Sequence, residues 1–409
     1  MKTEIATKQN NAETISSIPD NWNFGCIKDL VRVKAGYAIK SSDFTDSGVG
    51  VIKIKNIGNR IVDIENTDKI SLESFNKLAS DFILSTGDIV VAMTGATIGK
   101  VGKIKSTNQK YALNQRVARF ISENKHDLEF VFQYSDTKDF IDAINNYANG
   151  AAQQNISADD IASIQILIPP TNERRIIAEI LSSLDDKIEL NRKINSNLEK
   201  IASLLFKQWF VDFEFPNESG KPFKSSGGKM IDSELGEIPY SWTVGKLGDC
   251  FDIKYGKSDK DISEDGAYSV YGAGGLLGFS NTFDYKGPQV IVGCRGTCGN
   301  ISIIFEDSKI THNSLIISNE WGNFFLYLYL KNINIKDVIT GSTQPQITIK
   351  DLSSLNVLLP SKEIVDTFSQ IIDPLFLNIK TNLLENIYLN KIRDSLLPRL
   401  MNGKIRVKI

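Results

Sequence analysis

The sequence predicts an α+β chain of two globular units, each a small, twisted, largely antiparallel sheet with helices. Two long antiparallel helices join them as a coiled coil, and an internal pseudo-two-fold duplication relates the halves. Three observations predict this: a long heptad seam, a second copy of that seam, and matched landmarks in the segments before each copy. In the first seam Ile177, Leu181, Leu184, Ile188, Asn191, Asn195, Leu198, Ala202, Leu205 and Trp209 follow one another by alternating steps of four and three. That spacing puts them on one stripe of a helix that packs on another helix. From Asn172 to Phe210 such a helix spans roughly 58 Å at 1.5 Å per residue, far longer than an ordinary surface helix, so it needs a partner of matching length.

The chain supplies the partner 191 positions on, where Leu184, Ile188, Asn191, Asn195, Leu198, Ile201 and Leu205 meet Leu375, Ile379, Asn382, Asn386, Leu389, Ile392 and Leu396. Earlier landmarks repeat in the same order. Ile18-Pro19-x-x-Trp22-x-x-Gly25 returns as Ile238-Pro239-x-x-Trp242-x-x-Gly245, and Asp29 and Gly36 meet Asp249 and Gly256. Gly87, Thr97 and Gly99 match Gly287, Thr297 and Gly299, and Gly150-x-x-Gln153 with Pro169 matches Gly341-x-x-Gln344 with Pro360. The offset shrinks from 220 to 191, so the second copy has lost about 29 residues in loops. The implied division is 1–170 and 236–360 for the globular units, 171–214 and 361–409 for the helices, and 215–235 for a linker.

Within the globular units, Gly50–Ile57, Asp88–Met93, Gln289–Gly293 and Leu315–Ser318 read as strands bounded by Gly, Asn and Ser turns. Leu128–Asn145 and Phe324–Lys331 read as helices. Trp22 and Trp242, each close behind a proline, read as core anchors. Pro216–Glu237 is rich in Gly, Ser, Pro and Lys, poor material for a packed element. Pro374 predicts a break or kink in the second long helix, leaving an uninterrupted run to about Asn402 with Gly403 as the C-cap. Asparagines at both matched seam positions set the register: with a dyad near residue 193, Asn191 faces Asn386 and Asn195 faces Asn382. The competing reading is that these positions are simply hydrated.

Composition excludes several classes. The 409 residues carry 41% hydrophobic and 23% charged side chains and a net charge of −2, ordinary for a soluble protein. The first 20 residues hold no apolar run and no stretch reaches membrane-spanning length, which predicts a cytoplasmic protein without a membrane partner. Cys26, Cys250, Cys294 and Cys298 lack zinc spacing and read as reduced structural thiols. Catalytic motifs are missing. Gly95-Ala-Thr-Ile-Gly-Lys100 is one residue too short between its glycines for a phosphate loop, and Val101 stands where Ser or Thr would hold Mg²⁺. Ile168-Pro-Pro-Thr171 lacks the amide and aromatic of a methyl-transfer motif. With only His126 and His312, no site needing two histidines can be built.

What remains suits nucleic acid. Ile98–Arg116 carries Lys100, Lys103, Lys105, Lys110 and Arg116 with no acid, a strip able to neutralise phosphates. Asn and Gln can bond adenine bidentately and Arg can bond guanine. Asn114, Gln115, Arg116, Gln153, Gln154 and Asn155 are therefore base-reading candidates in the first unit, with Arg295, Thr297, His312, Asn313, Gln344 and Gln346 in the second. Thr94 and Thr97 join the first set. A turn-capping role competes for each amide. Lys34, Tyr37, Lys40, Lys254, Tyr255 and Lys257 flank Gly36 and Gly256 as phosphate contacts or as plain solvated surface. No residue is a candidate for catalysis, cofactor or metal binding.

The duplicated plan, the run LFKQWFVDFEFP (Leu205–Pro216) closing the central helix and LLPRLMNGKIRV (Leu396–Val407) closing the last one resemble the specificity (S) subunits of type I restriction–modification enzymes. Ala112-Leu-Asn-Gln115, Gly150–Ile156 and Gly341–Ile347 agree, and the likeness runs from Ile18 to Ile409. The second unit departs in having Thr311-His-Asn-Ser314 where the first has Leu113-Asn-Gln-Arg116. The resemblance implies two target recognition domains, each reading one half of a split, asymmetric site in double-stranded DNA, held apart by the helices. It further implies docking of two methyltransferase (M) subunits and of restriction/translocase (R) subunits. S-adenosylmethionine, ATP and Mg²⁺ then belong to those partners and none to this chain. A tandem adaptor for protein or glycan ligands is the alternative.

About 45 Å of continuous helix pairing corresponds to some 13 base pairs. Inserting four residues after Asn197 should add about 6 Å and lengthen the unread gap in the methylated site. An unchanged gap on methylation mapping would show that the helix does not set the spacing.

Overall fold

The computed structural model describes residues 18–58, 60–105, 107–148, 155–257, 261–341 and 343–408. It divides into two compact units: the first comprises the chain up to Glu189 and again from Ile387, the second Leu190–Asn386. The long helices Thr171–Phe206 and Lys362–Met401 each contribute one half to each unit.

The first unit holds a six-stranded sheet in the order Arg32–Ala35, Val117–Ile121, Ile89–Ala92, Val101–Lys103, Arg60–Val62, Ile57–Gly58. A five-stranded sheet lies beside it in the same unit, and the pairs are antiparallel except Val101–Lys103 with Arg60–Val62 and Tyr111–Leu113 with Val49–Ile52. The second unit repeats the first four positions as Asp252–Tyr255, Ser314–Ser318, Gln289–Gly293, Ile301–Ile304. Its sheet stops there, whereas the first unit goes on to two further strands. Both units close with the same small pair, Asn23–Cys26 on Gln165–Ile168 and Thr243–Lys246 on Asn356–Leu359. The matched glycines have one cause: a Cβ at Gly36 would lie 2.3 Å from the Asn114 carbonyl oxygen, and one at Gly256 would lie 2.2 Å from that of Thr311. Only glycine lets the chain pass so close.

Trp22 and Trp242 are core anchors, each almost fully buried. Trp22 Nε1 donates to Glu173 (3.0 Å), which also takes Arg406, while Trp242 lies stacked on Phe215 with ring centres 5.3 Å apart. The aromatic run closing the central helix is explained by the second unit's core, where Phe206, Trp209 and Phe210 pack with Trp242, Phe325 and Phe368. The helix ends there in a wider π turn over Lys207–Val211.

The helices pair antiparallel, with the expected asparagines in contact. In the second unit Asn191 Nδ2 donates to Asn386 Oδ1 at 3.0 Å and Asn382 Nδ2 donates to Asn195 Oδ1 at 2.8 Å. In the first unit Ile177 and Leu181 share a core with Leu397 and Leu400.

Four expectations are corrected. The helix Lys362–Met401 runs through Pro374 without interruption. Pro374 and Gln370, whose carbonyl loses its donor, are both exposed, so water can take the bond, while buried Phe368, Ile372, Phe376 and Ile379 hold the helix on either side. Leu128–Asn145 is two helices, Lys125–Tyr134 and Lys138–Ala148, because Thr137 Oγ1 accepts from the Phe140 N–H and starts the second. The strand expected over Gly50–Ile57 ends at Ile52, where Asn56 Oδ1 accepts from the Lys53 N–H and folds a 3₁₀ turn. The linker stretch contains a hairpin, Met230–Ser233 on Gly236–Pro239, and Phe223 stacks on Phe215. Gly403 does follow the last helix with φ 73°. Among the described residues no helix is long and apolar enough to cross a membrane.

Asp185 ties the first unit together. Arg60 (3.0 Å) and Gln133 (2.9 Å) donate to one oxygen and Arg393 (3.0 Å) to the other, joining sheet edge, helix and both long helices. Burial pushes its carboxyl up, but Arg60, Gln133 and Arg393 outweigh that and hold it below the usual range. A lowered folded value makes this stabilisation complete above a pH of about 4 and lost as pH falls through the lower folded value. Asp185→Ala should cost about 3–5 kcal/mol at neutral pH and remove that share of the acid sensitivity, measured by urea unfolding across pH.

Candidate nucleic-acid interface

In each unit three chain segments meet at one end of the central sheet, and matching main-chain bonds fix the meeting, joined in the second unit by the Cys294 and Cys298 thiols, which donate to the His312 and Pro345 carbonyls. In the first unit the Ile156 N–H donates to the Met93 carbonyl (2.9 Å), and the Met93 N–H donates to that of Arg116 (2.9 Å). In the second unit Ile347 donates to Cys294 (3.0 Å) and Cys294 to Asn313 (2.8 Å). Bridges Thr94–Asn155 and Arg295–Gln346 occupy the same place, followed by Gly95 and Gly296 at φ 75° and 76°. Capping boxes Ser157–Asp160 and Thr348–Asp351 then start matched short helices.

These bonds revise the alignment by one residue. Thr311 matches Asn114, His312 matches Gln115 and Asn313 matches Arg116, since the Val117 and Ser314 N–H groups close the same turn onto Asn114 and Thr311. Arg295 therefore stands where the first unit has Thr94.

Each junction is an open hollow. The first, about 810 Å³, is lined by Met93, Thr94, Gly95, Ala96, Gln115, Arg116, Asn155 and Ile156. The second, about 950 Å³, is lined by Arg295, Gly296, Gly341, Thr343, Gln344, Pro345 and Gln346. The structure thus gathers Thr94, Gln115, Arg116 and Asn155 in one place and Arg295, Gln344 and Gln346 in another. Gln153 and Gln154 lie outside the described residues. His312 and Thr297 are exposed but do not line the hollow, and Asn313 is half-buried, its carbonyl taking the Cys294 N–H.

Other candidates have different occupations. Asn114 is buried and its Oδ1 accepts from the Arg116 N–H (3.2 Å), so it shapes the turn that presents Gln115 and Arg116. The Thr97 hydroxyl donates to the Ile54 carbonyl (3.4 Å). The lysine strip is not free of acids in space: Lys103 is held by Glu129 and Lys105 by Glu189. Lys40, Lys100 and Lys110 stay exposed without an acid partner among the described residues. Lys34 lies 5.8 Å from the Phe82 ring, against which exposed Tyr37 packs. Lys254 pairs with Asp252 (2.5 Å) and Lys257 with Asp284 (3.3 Å), which lowers their weight as phosphate contacts, and Tyr255 is exposed. Sequence reasoning missed Ala96, Thr343 and Pro345. Thr343 and Pro345 sit inside the quoted Gly341–Ile347 run and could have been included on that ground.

The model of the family described as type I restriction modification DNA specificity domain matches residues 19–200 and 239–388. The chain belongs to that family. It is 27% identical to the type I restriction enzyme MjaIX specificity subunit of Methanocaldococcus jannaschii over 96% of each chain. It is 28% identical to the HindI specificity subunit of Haemophilus influenzae over 68% of this chain and 77% of that one. The S subunit of a type I restriction-modification system from M. genitalium shares the fold, with a TM-score of 0.58 and 20% identity over 95% of this chain and 98% of that one.

Asn114 and Arg116 separate under mutation. Asn114→Ala should lower stability by about 1 kcal/mol, whereas Arg116→Ala should leave stability unchanged within about 0.5 kcal/mol. Thermal and urea unfolding of the two variants check this.

Proposed function

We propose that this chain is the DNA sequence-specificity subunit of a cytoplasmic type I restriction–modification complex. Residues 1–170 and 236–360 serve as its two target recognition domains, and 171–214 and 361–409 as the helices that separate them. The observation that carries the reading is that one main-chain frame occurs twice with different side chains on it. Thr94, Gln115, Arg116 and Asn155 line one hollow; Arg295, Gln344 and Gln346 line the other. A symmetric reader would need the same chemistry twice, so the site is bipartite with two different halves. Lys40, Lys100 and Lys110 supply phosphate contacts that position without specifying.

Docking of two M subunits and of R subunits falls to the long helices. Outside their seam, Leu190, Ile194, Ile201 and Leu204 on the first and Leu377, Leu384, Ile387 and Tyr388 on the second are exposed, more apolar surface than a helix keeps in water without a partner. S-adenosylmethionine, ATP and Mg²⁺ act on those partners.

Co-expression with the cognate M subunit, followed by mapping of methylated adenines, tests the reading. The expected result is one bipartite, asymmetric site. Replacing Gln115, Arg116 and Asn155 together by alanine should erase base choice in one half only; an unchanged site would overturn the assignment of the hollow. DNA affinity should also fall steeply between about 50 and 200 mM salt, and indifference to salt would favour an adaptor of protein or glycan ligands.

A further inference from the structure

The two hollows differ in where each keeps its uncommitted guanidinium. In the first unit Arg32, Arg119 and Arg174 are held by Asp81, Asp88 and Asp127, and Arg60 and Arg393 share Asp185. Arg116, on the hollow, has no acid partner among the described residues. In the second, Arg295 is the only arginine anywhere between Arg192 and Arg393. It too is exposed, on the hollow and without an acid partner among the described residues. A lone arginine with no acid partner among the described residues, standing at the end of its sheet, is placed to meet a group outside the chain.

The positions are not equivalent. The main-chain bonds set three segments side by side, in the order Asn155, Thr94, Arg116 in the first unit and Gln346, Arg295, Asn313 in the second. The first place is an amide in both. The guanidinium takes the third place in one and the middle place in the other. Arg295 is also rigidly mounted. Its N–H donates to the Asn313 carbonyl (3.3 Å), it bridges Gln346, and Cys294 before it is tied on both sides. A fixed base leaves only side-chain freedom to be lost on binding.

Arginine bonds the O6 and N7 edge of guanine bidentately, and Asn or Gln does the same to adenine. Resting on the specificity reading above, we infer that Arg116 and Arg295 each read one guanine in the major groove, and that the guanine stands nearer the amide-read base in the second half-site than in the first. Neighbouring segments are about 4.8 Å apart, against about 3.4 Å per base-pair step. The guanine is therefore displaced by one to two base pairs between the half-sites, each counted from its own amide-read base.

The test uses the full chain in complex with its M subunit and maps methylation on random DNA. Arg295→Ala should relax one G·C pair in one half-site by roughly 10- to 100-fold, leaving the other half untouched, and Arg116→Ala should do the reverse. Arg295→Gln, which keeps length and a bidentate amide, should move that position toward A·T. The double variant Thr94→Arg, Arg116→Asn should shift the guanine of the first half-site one to two base pairs toward its amide-read base. If Arg295→Ala instead weakens methylation of all sequences alike, the arginine is a phosphate contact and the inference falls while the specificity reading stands. If Arg295→Gln leaves the guanine preference whole, the inference falls in the same way. A wild-type complex that assembles and methylates without sequence preference would remove the specificity reading itself.

Discussion

The helix pair depends on one polar constraint, the asparagine contacts at its middle. An apolar heptad seam alone tolerates slippage by seven residues, because each slip again sets apolar side chains against apolar side chains. Asn191 and Asn195 remove that freedom. Each is buried, and a buried amide left without a partner costs about 1–3 kcal/mol. One register gives both an amide partner, Asn191 Nδ2 donating to Asn386 and Asn195 Oδ1 accepting from Asn382. The same register brings Asp185 to Arg393 within the first unit and Trp209 to Phe368 within the second. Two short polar contacts thus decide which residues can meet along the half of the pair that belongs to the second unit.

Duplication supplied the frame and divergence supplied the differences. In the first unit the anchor Trp22 gives its N–H to buried Glu173, whose charge is met by Arg406 from the last segment of the chain. At the matched positions the second unit has Ile364 for the glutamate and Phe215 for the arginine. Its Trp242 N–H has no partner among the described residues, a cost of the order of 1–3 kcal/mol. Stacking on Phe215 and Phe210 and full burial of the ring offset it. The same closing segment is an ion pair in one unit and an aromatic stack in the other. A change that is mild in one unit can therefore be severe in the other.

What could be read from the sequence was what repeats or has a period. The two long helices, their register, the tryptophan anchors and the matched glycines all rest on spacing. What could not be read depended on partners far along the chain. Lys103 and Lys105 look like free cations in their own strip, and only folding brings Glu129 and Glu189 to them. Asn114 looks like a reader beside Gln115 until its carbonyl oxygen is found capping the next turn. Pro374 was expected to break a helix on local grounds, but exposure of the lost bond made the local penalty small. The one-residue shift that sets Arg295 on Thr94 was hidden because the loops after them differ in length, and only the hydrogen bonds count residues correctly there.

The two sheet ends show why one frame can carry different side chains. Most bonds that join the three segments run between main-chain N–H and C=O groups, which any residue except proline can supply in full; in the second unit the Cys294 and Cys298 thiols add bonds to the His312 and Pro345 carbonyls. The side chains at Thr94, Asn155 and Arg116, and at Arg295, Gln346 and Asn313, take little part in holding the junction. Glycine is demanded beside them, where the backbone turns at positive φ, and not at the wall positions themselves. Stability is thereby separated from choice: a wall residue can change without loosening the sheet end, while Asn114, one residue outside the wall, cannot. The sharp difference between neighbouring residues follows from which of them bond through their side chains.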